Sequence, residues 1–105
     1  MKIVGVTACP TGIAHTYMAQ AGLEKQCKKR GFTVKIETQG SMGSENELSE
    51  REISEADVVI LAVDITIEGQ ERFDNKLVLE VNVGKAVTHP EQVIDQAIKL
   101  FESNK

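Results

Sequence analysis

Six consecutive apolar residues, Val58 to Val63, constrain this chain more than any other stretch. A short β-branched run without polar alternation is how a strand buried on both faces of a parallel sheet reads. Lys2 to Ala8 is a second β-branched run, and Phe32 to Gln39 and Leu77 to Val83 read as further strands, the former with Val34 and Ile36 alternating against Lys35 and Glu37. Between the first two strands a helix is predicted from about Gly12 through Cys27. Ala19, Leu23 and Cys27 share one of its faces, Glu24, Lys25 and Lys28 point away, and Gly31 stops it. That is a βαβ unit, which makes its strands parallel with a right-handed crossover. Ser49 with Glu52 forms a capping-box pattern for a short helix through Ala56. Thr88 with Glu91 forms another, with Pro90 in the first turn, before a helix that buries Val93, Ile94, Ala97, Ile98 and Phe101. The expected fold is α/β: one domain over residues 1–105, with a four-stranded parallel sheet in the order 2-1-3-4 and helices on both faces.

A length of 105 residues and 41% apolar content suffice for one ordinary core. The formal charge of −4, with only one tyrosine (Tyr17) and three phenylalanines (Phe32, Phe73, Phe101), argues against a nucleic-acid-binding surface. No apolar run approaches the ~20 residues of a membrane helix, and Met1 leads straight into a strand without a signal-peptide pattern. The expectation is therefore a soluble cytoplasmic protein. The start at Met1 and the polar end Ser103-Asn104-Lys105 suit a free-standing component. If the first helix runs as predicted, its rise of ~1.5 Å per residue separates Cys9 from Cys27 by roughly 20 Å, which rules out a disulfide.

In the order 2-1-3-4 the first strand is central, and its C-terminal end is a topological switch point. Cys9 sits there, in Ala8-Cys9-Pro10-Thr11-Gly12-Ile13-Ala14-His15-Thr16. A thiol at the mouth of a helix N-terminus faces unpaired backbone N–H groups and the positive end of the helix dipole, which both favour thiolate over thiol. Pro10 has no N–H, whereas Thr11, Gly12, Ile13, Ala14, His15 and Thr16 each have one, and Gly12 permits a close backbone approach. Such a row of donors suits the oxygens of a phosphoryl group on sulfur, whose charge of about −1.5 to −2 needs dipoles already aimed at it. The loop supplies them without a metal or cofactor. The spacing also resembles that of Cys-x5-Arg-Ser/Thr phosphatases, but His15 stands at the arginine position and Thr16 follows. Losing a charged fork worth ~10³ to 10⁵ in rate in related phosphoryl transfers makes water a poor acceptor. The loop therefore reads as a carrier more than a hydrolase, with a phosphatase or a redox-sensing thiol as the alternatives.

Cys9 to Thr16, followed by Glu37-Thr38-Gln39-Gly40-Ser41-Met42-Gly43 and Glu45-Asn46-Glu47-Leu48, is similar to the fructose-type enzyme IIB component of the bacterial phosphoenolpyruvate-dependent sugar phosphotransferase system. The resemblance extends through Ala56 to Ala62 and the Arg72-Phe73 pair. It implies that a phosphohistidine on an enzyme IIA passes its phosphoryl group to Cys9, and that Cys9 passes it to a sugar held by the membrane-embedded enzyme IIC.

Around this loop several residues carry two readings. Thr11 and Thr16 serve either the helix cap or the phosphate, and His15 is either a surface residue or a phosphate donor that tunes the thiolate. The polar stretch from Gly40 to Leu48 leaves the second strand on the Cys9 edge as a candidate lid or docking loop. Within it Ser41, Gly43 and Asn46, with Gln39 before it, either order the loop near the phosphate or are simply solvated. Asp64 is a loop-ordering or docking residue on the same edge. Arg72 pairs with a partner carboxylate, or with Glu68 or Asp74. His89 belongs to a helix start, and Cys27 to the core.

Overall fold

Residue by residue, β1 (Lys2–Ala8) pairs in parallel with β2 (Thr33–Gly40) on one side and with β4 (Val58–Val63) on the other. The computed structural model describes residues 1–9, 13–40 and 43–104, with only the backbone of Ile13. β4 pairs in parallel with β5 (Val78–Val81), and β3 (Gly43–Glu45) adds to the far edge of β2 in antiparallel sense. The sheet thus has five strands in the order β3-β2-β1-β4-β5. Its four parallel strands follow the expected order, and the expected count of four is corrected by β3. That strand falls inside the stretch read as irregular loop, where Gly43 at φ 100° and Asn46 at φ 57° bend the chain at its ends.

Both faces of the sheet are covered. On one, Ile3, Ile36, Val58, Ile60 and Ala62 meet Ala19, Leu23 and Cys27 of α1 (Ile13–Lys29), Val83 and Ala86 of α3 (Val83–Thr88), and Val93, Ile94 and Ala97 of α4 (Pro90–Ser103). On the other, Val4, Val6, Ala8, Val59 and Leu61 meet Leu48, Ile53 and Ala56 around α2 (Glu50–Glu55), together with Ile67 and Phe73 by the 3₁₀ turn Gln70–Phe73. Alternate residues of β1 and β4 feed opposite layers, so the apolar run at Val58 to Val63 has no polar face to show.

The helix boundaries have local causes. After α1, Gly31 at φ 78° donates to the Lys28 carbonyl at 3.0 Å and Phe32 N–H to the Cys27 carbonyl at 2.9 Å, a Schellman stop. The capping box of α2 is complete: Glu52 N–H donates to Ser49 Oγ at 3.1 Å, and Ser49 N–H to Glu52 Oε1 at 2.8 Å. Two expectations near the C-terminus fail. The fourth predicted strand stops at Val81, because Asn82 caps α3 by accepting from Lys85 N–H at 2.8 Å and draws Val83 into that helix. The Thr88–Glu91 box does not form, since the Thr88 hydroxyl donates to the Gly84 carbonyl within α3 and His89 occupies the N-cap of α4. Pro90 nonetheless opens α4. Among the described residues no helix is long and apolar enough to cross a membrane.

The central strand is tightly hemmed at Gly5, where an added Cβ would lie 2.6 Å from the Ile60 carbonyl oxygen and 3.1 Å from Ile36 Cδ1. The neighbour at 2.6 Å is backbone, so Gly5→Ala is expected to destabilise the fold by about 1–3 kcal/mol through overpacking. Urea titration checks this, and a midpoint unchanged from wild type would contradict the packing.

Candidate functional site

Where β1 ends, Asp64 N–H donates to the Ala8 carbonyl at 3.1 Å, which carries the β1–β4 pairing to the last strand residue and leaves Cys9 as the first residue beyond it. Cys9 is 8% exposed. It lies in an open cleft of about 320 Å³ walled by Gln39 and Gly40 from β2, Gly43 and Ser44 from β3, and Ile65, Thr66 and Glu68 from the loop after β4. The cleft therefore sits at the C-terminal ends of the central strands, at the switch point.

The helix that follows Cys9 begins at Ile13, and no acidic side chain stands in its first turn, while Lys28 and Lys29 occupy its last. The N–H groups of Ile13, Ala14 and His15 are thus in its first turn, at the positive end. Ala14 and His15 are exposed, and Thr16 is buried. Thr7 Oγ1 donates to the Thr16 carbonyl at 3.1 Å, tying the end of β1 to the first turns of α1. The Thr16 hydroxyl itself is buried with no hydrogen-bond partner among the described residues. Thr11, Gly12 and Ser41 lie outside the described residues. Neither Cys9 nor Cys27 forms a disulfide, and burial in the helical layer pushes the Cys27 thiol up to about 11, as befits a core residue.

The residues singled out around the cleft are mostly engaged in holding its walls. Gln39 pairs with the Glu68 backbone as a strand would: its Nε2 donates to the Glu68 carbonyl at 3.0 Å and its Oε1 accepts from Glu68 N–H at 2.9 Å. Asn46 Nδ2 donates to the Ile36 carbonyl at 2.9 Å, which secures the turn after β3. Gly43 opens β3 opposite Gly40. Asp64 accepts from Val83 N–H at 3.1 Å and so ties the end of β4 to the start of α3. On the rim, the Tyr17 hydroxyl donates to Glu45 Oε1 at 2.6 Å, a bond that raises the Tyr17 pKa and links α1 to β3. Tyr17, Met18 and Ile65 are the exposed large apolar side chains of the described residues, at 39%, 53% and 42%.

Sequence reasoning placed Arg72 with Glu68, Asp74 or an outside carboxylate; the structure corrects this. Its guanidinium forms a fork on Glu37, with Nη1 on Oε1 and Nη2 on Oε2, both at 3.0 Å. Glu37 is 1% exposed. Burial alone pushes its carboxyl up, but the Arg72 fork, Leu48 N–H and the Gln39 amide outweigh that and hold it below the usual carboxylate range. Among the described residues no three His, Cys, Asp or Glu side chains converge as metal ligands.

Residues 4–96 match the family model described as "PTS system, Lactose/Cellobiose specific IIB subunit". The chain is 48% identical over 95 residues to the fructose-like EIIB component 2 of the PTS in Escherichia coli strain K12, covering 90% of each. Its fold matches a crystal structure of a domain of the fructose-specific IIABC component of Borrelia burgdorferi with a TM-score of 0.88 and 49% identity, over 93% of each chain. A solution structure of an enzyme IIB subunit of the PTS from Escherichia coli K12 matches with a TM-score of 0.91 and 37% identity, over 98% of this chain and 95% of that one. A cysteine at the switch point of a mostly parallel sheet is thus found together with a family match spanning nearly the whole chain: the chain belongs to the enzyme IIB components of the sugar phosphotransferase system, in their fructose type.

Proposed function

We propose that Cys9 carries the phosphoryl group in this phosphotransferase, taking it from a phosphohistidine of an enzyme IIA and giving it to fructose or a fructose-like sugar held by a membrane enzyme IIC. In the first step the Cys9 thiolate bonds phosphorus as the N–P bond breaks, and the imidazole leaves with the bonding pair. In the second, a sugar hydroxyl oxygen bonds phosphorus, the S–P bond breaks and the thiolate returns. The hydroxyl proton passes to a base beside the bound sugar.

The observation that carries this reading is the position of Cys9 between the end of the central strand and a helix N-terminus free of acidic side chains. The first-turn N–H groups of Ile13, Ala14 and His15 favour a doubly charged group on sulfur, and Thr11 and Gly12 belong to the same loop by sequence. The buried Thr16 hydroxyl, left without a partner among the described residues, is a further donor in the first turn of α1. The reaction needs no cofactor, because the covalent phosphocysteine holds the group between partners. Residues 1–105 act as one enzyme IIB domain in the cytoplasm and meet the membrane only through enzyme IIC. The Borrelia burgdorferi domain comes from a component whose name joins IIA, IIB and IIC, which supports those two partners. Gln39, Gly43, Asn46 and Asp64, with the exposed Tyr17, Met18 and Ile65, belong to the surface those partners meet, and Ser41 is assigned to it by its place in the sequence.

With phosphoenolpyruvate, the general relay proteins, a fructose-type enzyme IIA and membranes holding the matching enzyme IIC, fructose phosphate is expected to form in proportion to the added protein. No sugar phosphate from a relay verified with another enzyme IIB would overturn the proposal.

A further inference from the structure

Glu37 does not line the Cys9 cleft, yet every acceptor site of its carboxylate is taken by the segments that do or by their supports. Oε1 accepts from Leu48 N–H at 2.9 Å and Arg72 Nη1 at 3.0 Å; Oε2 accepts from Gln39 Nε2 at 2.8 Å and Arg72 Nη2 at 3.0 Å. A carboxylate has about four lone-pair sites, so this one is fully used. Arg72 extends the reach, with Nε donating to the Gly69 carbonyl at 2.7 Å and Nη2 to the Glu68 carbonyl at 3.3 Å. Gln39 closes the circuit through its paired bonds to the Glu68 backbone. One buried carboxylate thereby ties together β2, the turn that ends at Leu48, and the loop from Ile65 to Gly69.

These three segments hold the walls of the cleft. Gln39 and Gly40 form one side, Gly43 and Ser44 hang from β2 ahead of Leu48, and Ile65, Thr66 and Glu68 form the other. Gly69 is fitted to the same clamp. It sits at φ 73°, and a Cβ there would fall 2.5 Å from Arg72 Nε, so only glycine lets the guanidinium settle against its carbonyl.

We propose that Glu37 is a positioning residue for phosphoryl transfer at Cys9: through Arg72, Gln39 and Leu48 it sets the spacing of the two cleft walls between which phosphorus must line up with sulfur. This rests on the carrier reading of Cys9. In-line transfer is sensitive to small displacements, and an ångström of misplacement can cost ~10²-fold in rate. The part of the docking surface on α1, Tyr17 and Met18, is bonded to none of the clamp's groups and survives a change in wall spacing.

The test is single-turnover transfer from phosphorylated enzyme IIA to the wild type, to Glu37→Gln and to Gly69→Ala, with thermal unfolding of each measured in parallel. Glu37→Gln keeps the side chain's shape but loses the charge and one acceptor, whereas Gly69→Ala displaces Arg72 without removing a polar group. The expected result for folded variants is a maximal rate at least about tenfold lower, with the half-saturating concentration of enzyme IIA unchanged. Were Glu37→Gln too unstable to assay, Gly69→Ala alone decides. The proposal is overturned if the folded variants keep the wild-type maximal rate, if only the half-saturating concentration rises, or if the loss of rate equals the loss of folded protein. A wild type that accepts no phosphoryl group would instead refute the carrier reading.

Discussion

Cys9→Ser is expected to reduce sugar phosphorylation by roughly 10³-fold or more and to leave thermal unfolding nearly unchanged. A serine hydroxyl at this position meets the same helix end but ionises far less readily than a thiol, so the dipole has no anion to favour. No other cysteine can take over, because Cys27 is buried on the sheet-facing side of α1 and its thiol is pushed up to about 11 by that burial. The change is nearly isosteric and sits at a cleft, so the cost in stability is expected to stay below ~1 kcal/mol. Sugar-phosphate formation and a melting curve on the same preparation check both halves. A variant retaining a tenth or more of the wild-type rate would place the nucleophile elsewhere.

The second large effect concerns stability. Arg72→Met is expected to cost about 3–5 kcal/mol at neutral pH, because it leaves the Glu37 carboxylate buried without its counter-charge. For a domain of this size that corresponds to a fall in Tm of roughly 10 °C or more. The pH dependence gives the effect a signature. In the wild type, Glu37 is held below its ordinary pKa by hydrogen bonds that outweigh burial. Its contribution is therefore fully present above the unfolded-state value of ~4.3 and is lost as pH falls through the lower folded value. In the variant burial acts without the Arg72 fork, which pushes the carboxyl upward, so acid stabilises the variant relative to the wild type. The difference between the two proteins should begin to shrink as pH falls through the variant's higher value and close as it falls through the wild type's lower one. Urea titrations of both from pH 7 to pH 3 check this. A constant difference across that range would mean that the methionine acts through packing, such as the guanidinium stacked 5.0 Å from the Phe73 ring centroid, and not through charge.

What was legible in the sequence follows from how local its causes are. The helix stop at Gly31 and the Ser49–Glu52 box depend on residues within one turn, and both formed as read. The Val58 to Val63 run declares double-sided burial by its composition alone. Thr88 and Glu91 imitate a capping box equally well, but Thr88 is already committed to α3, whose start depends on Asn82 and on Asp64 from the end of β4. The Asn82 cap was a readable signal that the apolar Val81 and Val83 on either side of it masked. β3 escaped because three residues with little apolar character become a strand only by pairing with β2. The Glu37–Arg72 clamp spans 35 residues, and no periodicity connects its ends. Glu37 read as the solvent-facing half of an alternating strand, since nothing local shows that the Leu48 turn and the 3₁₀ turn close over it.

The central claim, that Cys9 carries the phosphoryl group, is tested most directly by the intact mass of the protein after incubation with phosphoenolpyruvate, the general relay proteins and a fructose-type enzyme IIA, followed by peptide mapping. The account predicts the mass of one added phosphoryl group, located on the peptide containing Cys9 and absent from Cys9→Ser. A verified relay that leaves the wild type unmodified, or that modifies a peptide without Cys9, would contradict it.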